Sequence, residues 1–515
     1  MARRLMIQGT GSHVGKSVIV AALCRIFANE GYEVAPFKSQ NMSLNSFITA
    51  DGHEIARSQV FQALAARKEP VVEMNPILLK PTSEKGSQVI LKGTPVGNMT
   101  TIQYYAFKER AVAAIRECFA KLDADNDIVV IEGAGSPAEI NLRSNDIVNM
   151  FIAKIFNAPV IIVGDIERGG VFASLIGTLE LLHEDEKRLV KGFIINKFRG
   201  DLSILQPGLD FLEERTNRHV IGVIPYFNHI RIQEEDSLSV GNLSVENVRW
   251  DGRWGNVRIA VVRLPHISNF TDFDALSAER DVSLIYTTDA DVLRCADVII
   301  LPGSKNTIAD LMWLEERGIA HEIKKAAFSG NAVVFGICGG FQMMTERIID
   351  EGGVESSECE YEGLGLFRAD TVFLSDKTTH QVLARSNLPF FNGSVMGYEI
   401  HMGVTHLKES EKHAFTIIKR SNKDVRVRDG AERGNVIGTY IHGIFDNDDF
   451  RTAFIEFAEN RISDMRRRRK SIRRKSRRKR RRSVGIDWDR EIDKLAEFVR
   501  KNLNMEKIYE IIFEC

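Results

Sequence analysis

The sequence predicts an α/β protein built of two doubly wound domains. Three observations carry that expectation. Short apolar runs alternate with stretches of helical period, first from Met6 to Ile195 and again from Val257 to Ile441. A glycine-rich loop follows the first run, and a second strand and turn place a cysteine, Cys338, among glycines. Between the two regions, residues 241–256 turn polar and lose their period, which reads as a linker.

The elements follow in order. Met6-Ile7-Gln8 is a short strand that enters Gly9-Thr10-Gly11-Ser12-His13-Val14-Gly15-Lys16-Ser17, and a helix is predicted over Val18–Asn29. Strand, glycine loop and helix is the setting in which backbone N–H groups and a helix dipole cradle phosphates. Lys16 would neutralise them, and the Ser17 hydroxyl would ligate Mg²⁺. The outer glycine, Gly9, lies one residue further out than the strict phosphate-loop pattern, with Thr10 in its place. Glu33–Lys38 is a strand, and the polar stretch Ser39–Ser46 reads as a ligand-facing loop, as does Met74–Pro81. Asp127–Glu132 is a buried strand ending in an acid, and a carboxylate there, beside a phosphate loop, suits Mg²⁺. Strands at Pro159–Val163 and Gly192–Ile195 continue the alternation, the second ending in Asn196-Lys197.

In the second region, Val257–Val262 and Asp297–Leu301 are strands, the latter meeting Pro302-Gly303-Ser304-Lys305. Val333–Ile337 runs straight into Cys338-Gly339-Gly340, and Phe341–Ile349 reads as helix. Small neighbours let a nucleophile stand clear on a strained turn. A thiol at a helix start also gains from the dipole. A core-filling cysteine would need no such glycines. A thiol nucleophile needs a base. His442, at the end of the strand Val436–Ile441, is the candidate, and His401 is its rival. A helix over Asp448–Glu459 closes the region, and Ile492, Leu495, Ala496, Val499 and Leu503 recur at helical spacing in Asp487–Leu503.

Composition bounds the function. The 515 residues are 44% hydrophobic and 27% charged, which suits a folded chain of several domains of about 150 residues each. No apolar run approaches the roughly 18 residues of a membrane span. The N-terminus enters a strand at once, without the apolar core of a signal peptide. The six cysteines (24, 118, 295, 338, 359 and 515) show no paired or metal-type spacing, which favours a reducing, cytoplasmic setting. Net charge is −1, but Arg466–Arg482 alone holds 14 Lys/Arg and no acid. The remainder has 55 basic against 70 acidic residues, so the body is acidic. The basic run reads as a solvated low-complexity insert, with contact to nucleic acid or an anionic surface as the alternative. The expected organisation is therefore a first domain at 1–240, the linker at 241–256, a second domain at 257–462, the basic segment at 463–485 and a helical tail at 486–515.

Several longer words carry a resemblance. Gly336-Ile337-Cys338-Gly339-Gly340-Phe341-Gln342 resembles the nucleophile turn of class I glutamine amidotransferases. The Gly9–Ser17 loop, with its extra residue, resembles that of dethiobiotin synthetase and its relatives. Together they are similar to the cobyrinate-amidating enzymes. Further words narrow the resemblance to the branch that amidates four side chains. These are Ala35–Met42, Glu132–Leu142, Asp165–Ala173, Ile195–Asp201 and Ser268-Asn269-Phe270-Thr271-Asp272-Phe273-Asp274. The resemblance spans roughly residues 5–460 and leaves the basic run and the final helix outside it.

The resemblance implies an N-terminal P-loop NTPase-like amidoligase domain and a C-terminal glutamine-amidotransferase-like domain. It implies an ATP-dependent ligase, with Mg²⁺, that amidates the b, d, e and g carboxylates of adenosylcobyrinic acid a,c-diamide. L-glutamine is the nitrogen donor. Carried over by position, Cys338 is the nucleophile and His442 its base, and the Gly339 N–H, with that of Gly303, holds the oxyanion. Gly9, Thr10, Gly11, Gly15, Lys16 and Ser17 hold phosphates, Asn196 reads the base, and Ser17 and Glu132 bind Mg²⁺. Lys38, Gln40, Asn41, Lys80, Arg168 and Arg199 are candidates to meet the corrinoid's polar groups. The usual glutaminase acid two residues past the histidine is here Ile444, so His442 is expected to be oriented by another group. The neighbouring readings are the a,c-diamide synthase of the same family and, in another class, a partition-type ATPase that binds nucleic acid through the basic run.

Overall fold

A computed structural model describes residues 1–83, 86–227, 230–233, 257–356, 359–469 and 485–513. The expected linker at 241–256 and the basic run beyond 469 lie outside the described residues. The chain divides into two compact units. The first gathers Met1–Ser43, Glu54–Glu235 and Asp487–Cys515, and the second Leu44–His53 and Asp236–Ile486.

The first unit is built on six parallel strands: β1 (Arg3–Gly9), β2 (Val34–Phe37), β3 (Ile128–Glu132), β4 (Val160–Asp165), β5 (Val190–Phe198) and β6 (His219–Pro225). Their order is β6-β5-β4-β1-β3-β2. Every residue of β2, β3 and β4 is buried, the signature of a parallel sheet covered on both faces. Sheet order reverses at β1, so the loop after it opens at the switch point where α/β sheets bind ligands. Helix α1 (Lys16–Asn29) starts after Gly15, whose φ of 102° only glycine adopts freely, and stops before Gly31 at φ 94°.

The two stretches expected as ligand-facing loops contain strands. Gln40–Met42 pairs in parallel with Ile77–Ser83, which continues into an antiparallel meander of Gly86–Leu91 and Thr94–Thr100. The apolar Ile77-Leu78-Leu79 run is buried there and decides the matter over local polarity. A short helix, α2 (Thr101–Ala106), follows, closed by a capping box between Thr100 and Gln103.

The tail returns to this unit. Helix α3 (Trp488–Lys501) buries Ile492, Leu495, Ala496 and Val499, the face its period foretold. Arg25, fully buried on α1, donates to Asp489 Oδ1 at 2.7 Å and Asp493 Oδ1 at 3.1 Å, and to the carbonyls of Leu64 and Ala65. The tail helix, expected to dock, thus packs into the first unit's core.

The second unit holds another wound sheet: β7 (Val257–Val262), β8 (Val282–Thr287), β9 (Val298–Leu301), β10 (Val333–Ile337), β11 (Ala431–Arg433) and β12 (Val436–Thr439). Their order is β8-β7-β9-β10-β12-β11, parallel except for edge strand β11. A second sheet is organised on the long antiparallel pair Ala369–Ser386 and Ser394–Leu407. The expected helix Phe341–Ile349 is shorter than foreseen. Helix α4 covers Gly339–Met343 only, and Arg347–Ile349 is a strand pairing with Ala369–Ser386. The β-branched Ile348 and Ile349 fit that pleated surface better than a helix interior. The closing helix, by contrast, runs beyond its expected end, from Asp448 to Arg469. Among the described residues no helix is long and apolar enough to cross a membrane.

Candidate active sites

In the first unit the phosphate loop is closed around Lys16. Its Nζ donates to the carbonyls of Gly11 at 2.7 Å and Gly135 at 3.1 Å, pointing the charge across the loop mouth. A Cβ on Gly9 would lie 2.5 Å from Val14 Cγ2, and one on Gly15 would lie 2.1 Å from Asn196 Nδ2. Both glycines are therefore required by close approach, and Gly15 by its φ as well. Asn196, buried at the end of β5, donates to the Val14 carbonyl at 2.8 Å, so it reaches the loop. Thr10 N–H donates to the Val163 carbonyl at 3.0 Å, which ties the loop to β4.

Glu132 is buried at the end of β3, within one cluster. Ser17 Oγ donates to its Oε1 at 2.9 Å, Lys38 Nζ stands 2.8 Å from the same oxygen, and Gln62 Nε2 donates to Oε2. A carboxylate and a hydroxyl are hard oxygen donors that suit Mg²⁺, which keeps waters and phosphate oxygens for its other positions. Among the described residues no cluster of three or more His, Cys, Asp or Glu could hold a metal by itself. The donor set thus fits an ion brought with a nucleotide.

The other residues expected to meet substrate are engaged as follows. Asn41 is buried and donates to Ser58 Oγ and Gln59 Oε1, each at 2.9 Å. Gln40 accepts from Tyr104. Lys80 is buried on Glu54 at 2.5 Å. Arg168 is 3.8 Å from Asp165, and Arg199 is 3.1 Å from Glu167 with its guanidinium 3.5 Å above the Tyr226 ring.

In the second unit, Cys338 lies between β10 and α4 with φ 52° and ψ −111°. A non-glycine residue there carries strain on the order of 1–3 kcal/mol, the mark of a nucleophile turn. Its N–H donates to the Thr439 carbonyl at 2.9 Å, and its Sγ is 3.5 Å from the Ile400 carbonyl. The turn is crowded. A Cβ on Gly340 would sit 2.1 Å from the Leu301 carbonyl oxygen and 2.8 Å from that of Pro302. Gly340→Ala is expected to destabilise the unit by about 3 kcal/mol, read by thermal unfolding, because both neighbours are backbone and cannot move aside.

His442 is fully buried, and the Cys338 sulfur is among the groups that act on its charge. Its Nδ1 stands 2.7 Å from Asp272 Oδ2, and Asp272 Oδ1 accepts from the Gly443 N–H at 2.9 Å. Burial alone would lower the imidazole pKa, but the Asp272 carboxylate and the Cys338 sulfur outweigh it and raise it to about 10. Asp272 is the residue that sequence reasoning missed in its role. Its word, Ser268–Asp274, was legible only as part of a resemblance, since 170 residues separate acid and histidine. The segment Leu44–His53 braces the same loop: Ser46 N–H donates to Asn269 Oδ1 at 2.9 Å, and Phe270 N–H to Asn45 Oδ1 at 3.2 Å.

Gly303 is adjacent, because a Cβ there would be 3.2 Å from His442 Cε1. One on Gly339 would be 2.8 Å from the Ser304 nitrogen, so the two backbone segments expected to hold an oxyanion lie side by side. The rival His401 is placed differently. Its ring stacks on Tyr440 at 3.9 Å, and Nδ1 is bound to the Gly403 carbonyl at 2.9 Å.

Comparisons with known proteins match both regions of the chain. Residues 5–240 match the CobQ/CobB/MinD/ParA nucleotide binding domain, and residues 258–450 match the CobB/CobQ-like glutamine amidotransferase domain. The chain is 48% identical over 511 residues to a cobyric acid synthase of Clostridium botulinum strain 657, type Ba4, covering 99% of each chain. It is 49% identical over 514 residues to that of Clostridium acetobutylicum, covering 99% of this chain and 98% of the relative. The cobyric acid synthase of Ruminiclostridium cellulolyticum is 48% identical, covering 100% of this chain and 98% of the relative. These matches take in the closing helices, which the sequence words had left outside the resemblance. The two domains and the full-length likeness make the chain an ATP-dependent, glutamine-using amide ligase. The chain belongs to the cobyric acid synthase family.

Proposed function

We propose that the chain converts adenosylcobyrinic acid a,c-diamide to adenosylcobyric acid by amidating the b, d, e and g carboxylates in turn, in the cytoplasm. One observation carries the reading. A single chain combines a strained cysteine backed by a buried His442–Asp272 pair with a phosphate loop whose Ser17 meets Glu132.

A carboxylate is a poor acyl donor because its leaving group would be oxide. In the first unit a substrate carboxylate oxygen attacks the γ-phosphorus of ATP, ADP leaves, and an acyl phosphate results. Lys16 and the loop amides of Gly9–Ser17 bind the phosphates and offset the charge that builds on them. Asn196 reads the adenine edge. Ser17 and Glu132 would hold Mg²⁺, which would supply charge neutralisation to the phosphates. Lys38, paired with Glu132, keeps that carboxylate aimed at the loop.

In the second unit the Cys338 sulfur attacks the glutamine amide carbon. The N–H groups of Gly339 and Gly303 stabilise the oxyanion, and His442 passes a proton to the departing ammonia. Water, deprotonated by His442, then releases glutamate. Ammonia attacks the acyl phosphate, phosphate leaves, and one proton is lost. Ammonia must arrive unprotonated, since ammonium has no lone pair with which to attack.

The test offers purified protein ATP, Mg²⁺, L-glutamine and adenosylcobyrinic acid a,c-diamide, and follows product mass. Four successive amidations, with four ADP and four glutamate formed per corrinoid, are expected. A reaction that stops with the starting diamide untouched, while ATP or glutamine is consumed, would refute the reading.

A further inference from the structure

The four cations singled out in the sequence each stand beside a carboxylate of the first unit. Lys38 pairs with Glu132, Lys80 with Glu54, Arg168 with Asp165 and Arg199 with Glu167. Beside its phosphate loop the unit also exposes large apolar side chains. Met42, Ile102, Tyr105, Ile140 and Leu142 are all exposed, Ile102 to 81% and Ile140 to 62%. Large aliphatic side chains standing this far out are ordinary singly, but a group of them at a functional site marks a binding surface.

The three segments that carry them are joined to one another and to the phosphate loop. Gln40 and Met42 share one face of their strand by its two-residue period, and Gln40 is hydrogen-bonded to Tyr104 of α2, next to Tyr105. Lys108, just beyond α2, donates from Nζ to the Ser144 carbonyl at 2.6 Å, which ties α2 to the loop bearing Ile140 and Leu142. That loop begins at Gly135, whose carbonyl accepts from Lys16. Ser39 Oγ donates to the Ile147 carbonyl at 2.7 Å and closes the circuit.

We propose that Met42, Ile102, Tyr105, Ile140 and Leu142 form the shelf on which the corrinoid rests its ring, a proposal that builds on the function given above. The chemistry of a four-fold reaction favours such a surface. Four carboxylates on different edges of one macrocycle must reach the same γ-phosphate in turn. A fork of arginines would hold one edge in one orientation, because charge-assisted hydrogen bonds are directional. Apolar contact is not directional, so the ring can be re-seated with a different edge toward Lys16 at little cost. A shelf also retains partly amidated rings, whose falling charge would weaken any ionic grip.

The experiment uses the full chain with Ile102→Ser and Leu142→Ser combined, both at exposed positions where folding tolerates the change. Binding of adenosylcobyrinic acid a,c-diamide is measured by equilibrium dialysis without ATP, using the corrinoid's own colour. Loss of two apolar contacts is expected to weaken binding and raise the corrinoid KM about ten-fold. The KM for ATP and glutamine hydrolysis should stay unchanged. Partly amidated products should accumulate in solution. Unchanged corrinoid affinity and product distribution, in a parent enzyme that completes all four amidations, would overturn the shelf. A parent that amidates none of the four would instead overturn the function on which it rests.

Discussion

Cys338→Ala is expected to cut glutamine-dependent amidation by at least about 10⁴-fold, as removal of a nucleophile does, while ammonia-supported amidation continues near the parent rate. The division follows from where the parts lie. Cys338, His442 and Asp272 belong to the second unit, and Lys16, Ser17 and Glu132 to the first. Alanine at 338 removes the sulfur but keeps a side chain compatible with the turn, so the strained backbone and its bond to the Thr439 carbonyl are retained. The assay runs the same variant with glutamine and with ammonium salt at a pH where free ammonia is plentiful, and compares amide formed. Equal loss with both nitrogen sources, in a variant whose thermal unfolding matches the parent, would show that the thiol is not confined to releasing nitrogen.

Much of both sites was readable in the amino-acid order because their chemistry is local. Gly9 to Ser17 is one continuous loop, and Gly336 to Gly340 is one continuous turn. Gly9 and Gly336 are dictated by contacts within a few residues and Gly15 by its positive φ, whereas Gly339 and Gly340 make room for the distant Ser304 and Leu301 backbone. What was not readable depends on partners brought from afar. Asp272 reaches His442 across 170 residues. Lys38 and Lys80 read as candidate partners for the substrate, and the structure sets each beside a buried carboxylate; no spacing rule pairs Lys80 with Glu54. Ile348 and Ile349 continue a helical pattern, but the strand Ala369–Ser386 beside them offers backbone partners that a helix end could not. Leu44–His53 and Asp487–Cys515 each cluster with the unit that lies further along or further back in the chain. Such assignments are set by which apolar face finds cover, and a single sequence shows the face but not the cover.

Asp272→Asn tests the one catalytic-site member that came from geometry. The carboxylate holds the imidazole by Nδ1 and leaves Nε2 for the sulfur, and it stabilises the imidazolium. An amide at 272 keeps the shape but offers no charge. Depending on its flip, it either leaves Nδ1 protonated without a counter-ion or donates to Nδ1 and puts the ring in the wrong tautomer. Glutamine hydrolysis should fall by about 10²–10⁴-fold, the range seen when such an acid is neutralised, with ammonia-supported amidation unaffected. The pH profile separates positioning from mere support of the fold. In the parent, His442 has its pKa raised to about 10, so its charged form persists through neutral pH and is lost as pH rises through that value. The same sign holds for stability: the charged pair contributes fully below the ordinary imidazole pKa of roughly 6.5 and the contribution disappears on the alkaline side. Without the Asp272 charge, burial acts with less opposition, and the alkaline limb of glutamine hydrolysis should move toward neutral pH. A variant that lost rate but kept the parent's alkaline limb would mean that Asp272 braces the Gly443 turn alone and that another group sets the charge of His442.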